Sequence, residues 1–121
     1  MQRFTDLKVW RRSHAFVLGV YRLTAGFPAG ERFGIQAKLR WAATSVPANI
    51  AEGSKREAQL EYAHFLNIAE GSLAEAEYLL LLSRDLGYAE QSLADQLRLE
   101  ADTIGPMLST LRAAVRKTHS S

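Results

Sequence analysis

The chain has 121 residues, no cysteine, and 15 Lys/Arg against 13 Asp/Glu, a formal net charge of +2. That length supports one domain, residues 1–121, with a buried core and no staples, and the missing cysteine excludes disulfides, thiolate nucleophiles and cysteine-based metal sites. The longest apolar run, Tyr78 to Leu82, falls far short of the roughly 20 residues a bilayer span needs, and the opening Met1-Gln2-Arg3-Phe4-Thr5-Asp6 lacks the apolar core of a signal peptide; a cytoplasmic location with no membrane partner is expected.

Few glycines and prolines punctuate the sequence and strand-like alternation persists nowhere, so helix is the default. A first helix is predicted over about residues 6–26, with Thr5 or Asp6 as its cap and Gly26-Phe27-Pro28 as its end. Leu7, Trp10, His14, Val17, Leu18 and Tyr21 form one stripe at helical spacing, and Val9, Ser13, Phe16, Val20, Leu23 and Phe27 form another. Between them lies a polar wedge of Lys8, Arg11, Arg12 and Arg22 around Ala15 and Gly19. A helix apolar over more than half its surface calls for more than one packing partner.

The second helix, about 32–53, places Ile35, Leu39, Ala42, Ala43, Val46 and Ile50 on one face, with a kink expected at Pro47 and a stop at Gly53. Ser54-Lys55-Arg56-Glu57 has the form of a capping box for a third helix, about 55–86. That helix carries Tyr62, Phe65, Leu66, Ala69, Ser72, Leu73, Ala76, Leu80 and Ser83 on a common side, while Leu81 and Leu82 need cover from outside the core. The fourth, about 89–117, spaces Leu93, Leu97, Ile104, Leu108, Leu111 and Val115 like a bundle seam, with a kink expected at Gly105-Pro106 and a frayed tail after Lys117. Short connections favour an all-α, antiparallel up-down four-helix bundle. One hexapeptide occurs twice, Asn49-Ile50-Ala51-Glu52-Gly53-Ser54 and Asn67-Ile68-Ala69-Glu70-Gly71-Ser72. Two copies are too few for a solenoid, and the reading is of similar local packing in two helices, in part by chance.

No catalytic, cofactor or metal site emerges. Glu61 and His64 have the i, i+3 spacing of ferritin-like dimetal bundles, but such a centre needs a second pair and two further glutamates. His14 sits on an apolar stripe, the serines have no histidine-carboxylate partners that sequence can place, and the glycines build no phosphate loop. The charges are more informative. Residues 1–56 hold ten Lys/Arg against Asp6, Glu31 and Glu52, a net of +7, and residues 57–121 hold five against ten acids, a net of −5. Either the halves neutralise each other, within or between subunits, or the basic half meets a polyanion. Lys8, Arg11, Arg12, Arg22, Arg40, Lys55 and Arg56 are the candidate phosphate contacts for RNA or DNA. Trp10 and Trp41 adjoin arginines and suit either base stacking or a core.

The string Arg40-Trp41-Ala42-Ala43-Thr44-Ser45-Val46-Pro47-Ala48-Asn49-Ile50-Ala51-Glu52-Gly53 resembles the signature helix of the four-helix bundle or S23 family, first noticed in intervening sequences of bacterial 23S rRNA genes. Phe4 to Trp10, the Phe27-Pro28 turn and Phe65 to Glu75 resemble further family segments in the same order. Trp41 stands where the family pattern has a second basic residue, and Ser54-Lys55 where it more commonly has an aromatic-glycine pair. The resemblance implies a four-helix bundle assembled as a ring-like homopentamer with a basic surface. Accessory proteins of diversity-generating retroelements are similar in fold, which implies nucleic acid and a reverse transcriptase as further partners. The alternative is a purely structural assembly module, the basic half of one subunit packing head-to-tail on the acidic half of the next.

Overall fold

The structure is a computed structural model that describes residues 3–120, with side chains described through Thr118; Met1, Gln2 and Ser121, which the one-domain and leader readings include, lie outside it. Four α-helices carry the chain: α1 Lys8–Thr24, α2 Ile35–Ser54, α3 Gln59–Asp85 and α4 Gln91–Ser120. A 3-10 turn precedes each of the first two, at Phe4–Asp6 and Ala29–Glu31, and there is no strand among the described residues. No helix is long and apolar enough to cross a membrane.

Contacts between helices establish the expected antiparallel bundle. Arg40 near the start of α2 meets Thr24 at the end of α1, and Gly53 at the end of α2 abuts Tyr62 and Phe65 near the start of α3. Arg84 at the end of α3 pairs with Asp95 near the start of α4, and Leu97 of α4 closes back on Gly19 of α1. Phe16, Val20, Leu39, Val46, Ile50, Leu66, Leu80, Ile104 and Leu108 form the fully buried centre. Each such apolar side chain contributes roughly 1.5–3 kcal/mol of transfer free energy. Ser13, Thr24 and Ser83 are buried without penalty because each hydroxyl donates to the carbonyl four residues back, on Val9, Val20 and Leu79.

Helix ends depart from expectation. Neither Thr5 nor Asp6 caps α1; Leu7 holds the extended N-cap position, and the Thr5 and Asp6 carbonyls instead accept from Arg11 Nη1 at 3.3 and 2.9 Å. The Ser54 capping box does not form either. Ser54 completes the last turn of α2, its hydroxyl donating to the Ala51 carbonyl at 2.8 Å, and α3 starts five residues later behind Ala58, which has no side-chain cap. Gly53 is therefore no stop but a buried glycine within α2. At the head of α4 the Glu90 carboxylate accepts from the Ser92 hydroxyl at 2.7 Å and from the Ser92 and Leu93 amides at 3.1 and 3.2 Å, and these bonds, the hydroxyl's first, hold its pKa below the usual carboxylate value. Gly87, at φ +77°, supplies the left-handed residue that ends α3, with Tyr88 N donating back to the Ser83 carbonyl at 2.9 Å. Both α2 and α4 continue through their prolines, and the tail expected to fray after Lys117 is helical to Ser120.

Packing also sorts the stripes. In α1 the core takes Val9, Ser13, Phe16, Val17 and Val20, while His14, Leu18 and Tyr21 face solvent and Trp10 is half-buried. Leu93 is surface rather than seam, because Ala94 and Ala101 occupy the buried positions where α4 approaches its neighbours. In the apolar run of α3, Leu81 and Leu82 are half-buried and Tyr78, 58% exposed, is the member left uncovered. The repeated hexapeptide serves two different environments: Ile50 and Gly53 are buried, whereas Ile68 and Gly71 are exposed.

Candidate nucleic-acid interface

The antiparallel topology brings five of the seven candidate cations to one end of the bundle. Lys8, Arg11 and Arg12 leave the first turns of α1, and Lys55 and Arg56 follow from the end of α2. Lys55 Nζ lies 5.9 Å from the ring of Phe4, which links the two groups. Phe4 sets its edge on Trp10, and Trp10 stacks on His14, each at a centroid distance of 5.1 Å. Lys8, Arg11, Lys55 and Arg56 are exposed and Arg12 is half-buried. Arg56 is partly engaged already, 2.9 Å from Glu52 and with its guanidinium 4.9 Å from the Phe65 ring.

The end of α4 adds cations from outside the basic half of the chain, Arg112, Arg116 and Lys117. Residues 3–14, 49–70 and 110–118, which build this end, hold nine Lys/Arg against five Asp/Glu, a net of +4; residues 15–48 and 71–109 hold six against eight, a net of −2. Charge is thus sorted along the bundle axis as well as between the two halves of the chain. An up-down topology applied to the sequence already contains this signal.

Arg22 and Arg40 lie toward the opposite end. Arg22 edges a groove of about 480 Å³ between α1 and α4, floored by Phe16, Gly19 and Leu97, with Glu100 also on its lining. Arg40 is fixed in place: Nε donates to the Thr24 hydroxyl at 2.7 Å, and the guanidinium lies 4.3 Å from the Tyr21 ring centroid. A shallow groove of about 340 Å³ runs from it to Arg32, Phe33 and Trp41. Trp41 is 78% and Phe33 89% exposed, and the Arg32 guanidinium lies 5.5 Å from the Phe33 centroid. The core reading of Trp41 is thereby excluded. Arg32 and Phe33 were not singled out from sequence, although their place in the turn just before Gly34 and α2 predicts exposure.

The remaining charged contacts are structural. Arg112 Nε donates to Glu70 Oε1 at 2.6 Å between α4 and α3, with both side chains about three-quarters buried. Glu77 is pushed above the usual carboxylate range, first by burial and then by Asp102, with Arg98 opposing. Tyr88 donates to Glu31 at 2.9 Å, a bond that raises the phenol pKa and ties the α3–α4 turn to the α1–α2 turn. Glu61 and His64 are both exposed, and among the described residues no three His, Asp or Glu side chains gather as a metal site would require.

Comparison with known proteins agrees with the fold. Residues 5–110 match the family model described as 23S rRNA-intervening sequence protein. A solved structure from Bacteroides thetaiotaomicron, described as a protein of unknown function from the S23 ribosomal protein family, superposes with a TM-score of 0.78 at 24% identity, covering 86% of this chain and 97% of that one. At that identity the likeness speaks for the fold alone. Among individually curated proteins none matches the chain significantly.

Proposed function

The chain belongs to the family of 23S rRNA-intervening sequence proteins, and from that premise we propose that it is an oligomeric, non-catalytic nucleic-acid-binding protein whose cationic bundle end meets the phosphate backbone. The observation that carries this reading is the net +4 gathered at that end by Lys8, Arg11, Arg12, Lys55 and Arg56 together with the end of α4. Such a set attracts RNA or DNA without reading sequence, releases counterions on binding and weakens steeply with salt. A ring-like homopentamer would repeat the charged end around its axis and multiply the attraction by avidity. A reverse transcriptase partner remains part of the reading by family resemblance.

The test is a salt titration of RNA binding. Lys8, Arg11, Arg12 and Lys55 changed together to glutamine should weaken binding and reduce the slope of log affinity against log salt by about 0.7–0.9 for each phosphate no longer neutralised. An unchanged slope refutes the assignment. One observation favours a second reading as an assembly module. Leu60, His64, Ile68, Gly71 and Tyr78 form an exposed stripe along α3, on the acidic flank that a neighbouring subunit's basic α1–α2 flank would complement. On that reading light scattering finds an oligomer that loosens with salt and ignores RNA.

A further inference from the structure

We infer that the groove between α1 and the start of α2 is a stacking platform for unpaired nucleobases, which makes single-stranded nucleic acid the preferred ligand. The inference rests on the nucleic-acid reading above but on different residues, at the other end of the α1–α2 flank.

A large aromatic ring left in water is unfavourable unless something covers it. Trp41 and Phe33 are the two most exposed large apolar side chains among the described residues. They belong to one groove, and the arginines beside it are already organised: Arg40 is held by the Thr24 hydroxyl over Tyr21, and Arg32 rests over Phe33. Tyr21, Arg32, Phe33, Arg40 and Trp41 line the groove, and no acidic side chain does. Aromatic faces alternating with guanidinium groups are what a single strand requires, since each unpaired base offers a π face and each linkage an anion.

Geometry selects the strand form. In a duplex the base faces are buried in the stack, so a platform of this kind has nothing to receive. Trp41 lies six residues beyond the start of α2 at Ile35, about 9 Å along the helix axis, and Phe33 stands in the turn before that start. A self-complementary contact with a second copy is disfavoured, because it would bring Arg32 and Arg40 against their own counterparts.

The experiment is fluorescence anisotropy with a labelled 12-nucleotide single-stranded RNA, the same sequence as single-stranded DNA, and the annealed duplex. Phe33→Ala and Trp41→Leu are each expected to weaken single-strand binding roughly 5- to 150-fold. Trp41→Phe should keep most of the affinity, and duplex binding should not move. Because no charge is removed, the salt slope should stay that of the unsubstituted chain. The two single-strand arms report whether the sugar matters. Light scattering on the same variants should find an unchanged subunit number. Single-strand affinity that survives both Phe33→Ala and Trp41→Leu overturns the inference and leaves the cationic end as the binding surface. A change in subunit number overturns it differently, by making the patch a contact between copies. Unsubstituted protein that binds none of the three probes overturns the nucleic-acid reading itself, and this inference with it.

Discussion

Gly53→Ala and Gly71→Ala sit in identical hexapeptides and should move stability in opposite directions. Alanine in place of a mid-helix glycine contributes about 0.8–1 kcal/mol through helix propensity; Gly71→Ala begins with that gain, and Gly53→Ala, one residue from the end of α2, with no more than that. At Gly71 a Cβ would meet nothing within 4 Å, and the gain should be realised in full. At Gly53 the Cβ would lie 2.7 Å from Phe65 Cβ and 3.3 Å from the Tyr62 carbonyl oxygen. Neither atom is the tip of a flexible side chain, so relief requires α2 and α3 to move apart. Carbon atoms prefer roughly 3.5–4 Å, and overpacking of this kind typically costs about 1–3 kcal/mol. The steric cost outweighs the propensity gain, and the two variants should differ by about 1–3 kcal/mol. For a chain of this length each kcal/mol corresponds to about 3–5 °C. Differential scanning calorimetry should place Gly71→Ala a few degrees above the parent and Gly53→Ala several degrees below it. Equal increases in Tm would mean that α2 and α3 do not make this close approach, and the packing argument would fail.

Two further substitutions probe the charges inside the bundle. Arg112→Met leaves Glu70 without its partner and should lower the denaturation midpoint; a denaturant double-mutant cycle with Glu70→Gln should show that the two substitutions are not additive, and a coupling near zero would show the pair to be idle. Burial and Asp102 raise the Glu77 pKa, so folding favours its protonated form. The cost of the carboxylate is absent below the unfolded pKa and sets in as pH rises through the folded one. Glu77→Gln should therefore be slightly stabilising at neutral pH, by no more than about 0.5 kcal/mol, and neutral in acid; a variant less stable than the parent at neutral pH would refute that sign.

The helices and their order were legible because apolar spacing at i, i+3 and i+4 is imposed by the core itself, as Leu39, Val46, Ile50, Ile104 and Leu108 illustrate. Their inward faces were less so. Both stripes of α1 are apolar, and only the position of α2 and α4 decides that Phe16 and Val20 go in while Leu18 and Tyr21 stay out. Residue hydrophobicity ranked Leu93 above Ala94 for the seam, yet close helix approach rewards the smaller side chain, so packing geometry overrode transfer free energy. Caps failed for a related reason. The Ser54 hydroxyl has a nearer acceptor in its own helix, so S-x-x-E spacing alone did not start α3. Trp41 was ambiguous because its neighbours Ala42 and Ala43 are core, and a one-residue step on a helix turns a side chain by about 100°.

The two divisions of charge separate the functions this fold is able to combine. The contrast between chain halves lies across the bundle, α1–α2 against α3–α4, and is available for attraction between neighbouring subunits. The contrast along the axis, +4 against −2, survives any side-by-side assembly that leaves the ends open. In a ring built through the flanks, cations at the ends would add from subunit to subunit while those on the flanks would be neutralised. The aromatic groove lies on a flank, so single-strand stacking and ring closure compete for Trp41 and Phe33 unless the subunit contact leaves that part of α2 uncovered. Measuring subunit number and single-strand affinity on the same Trp41 variants decides between them.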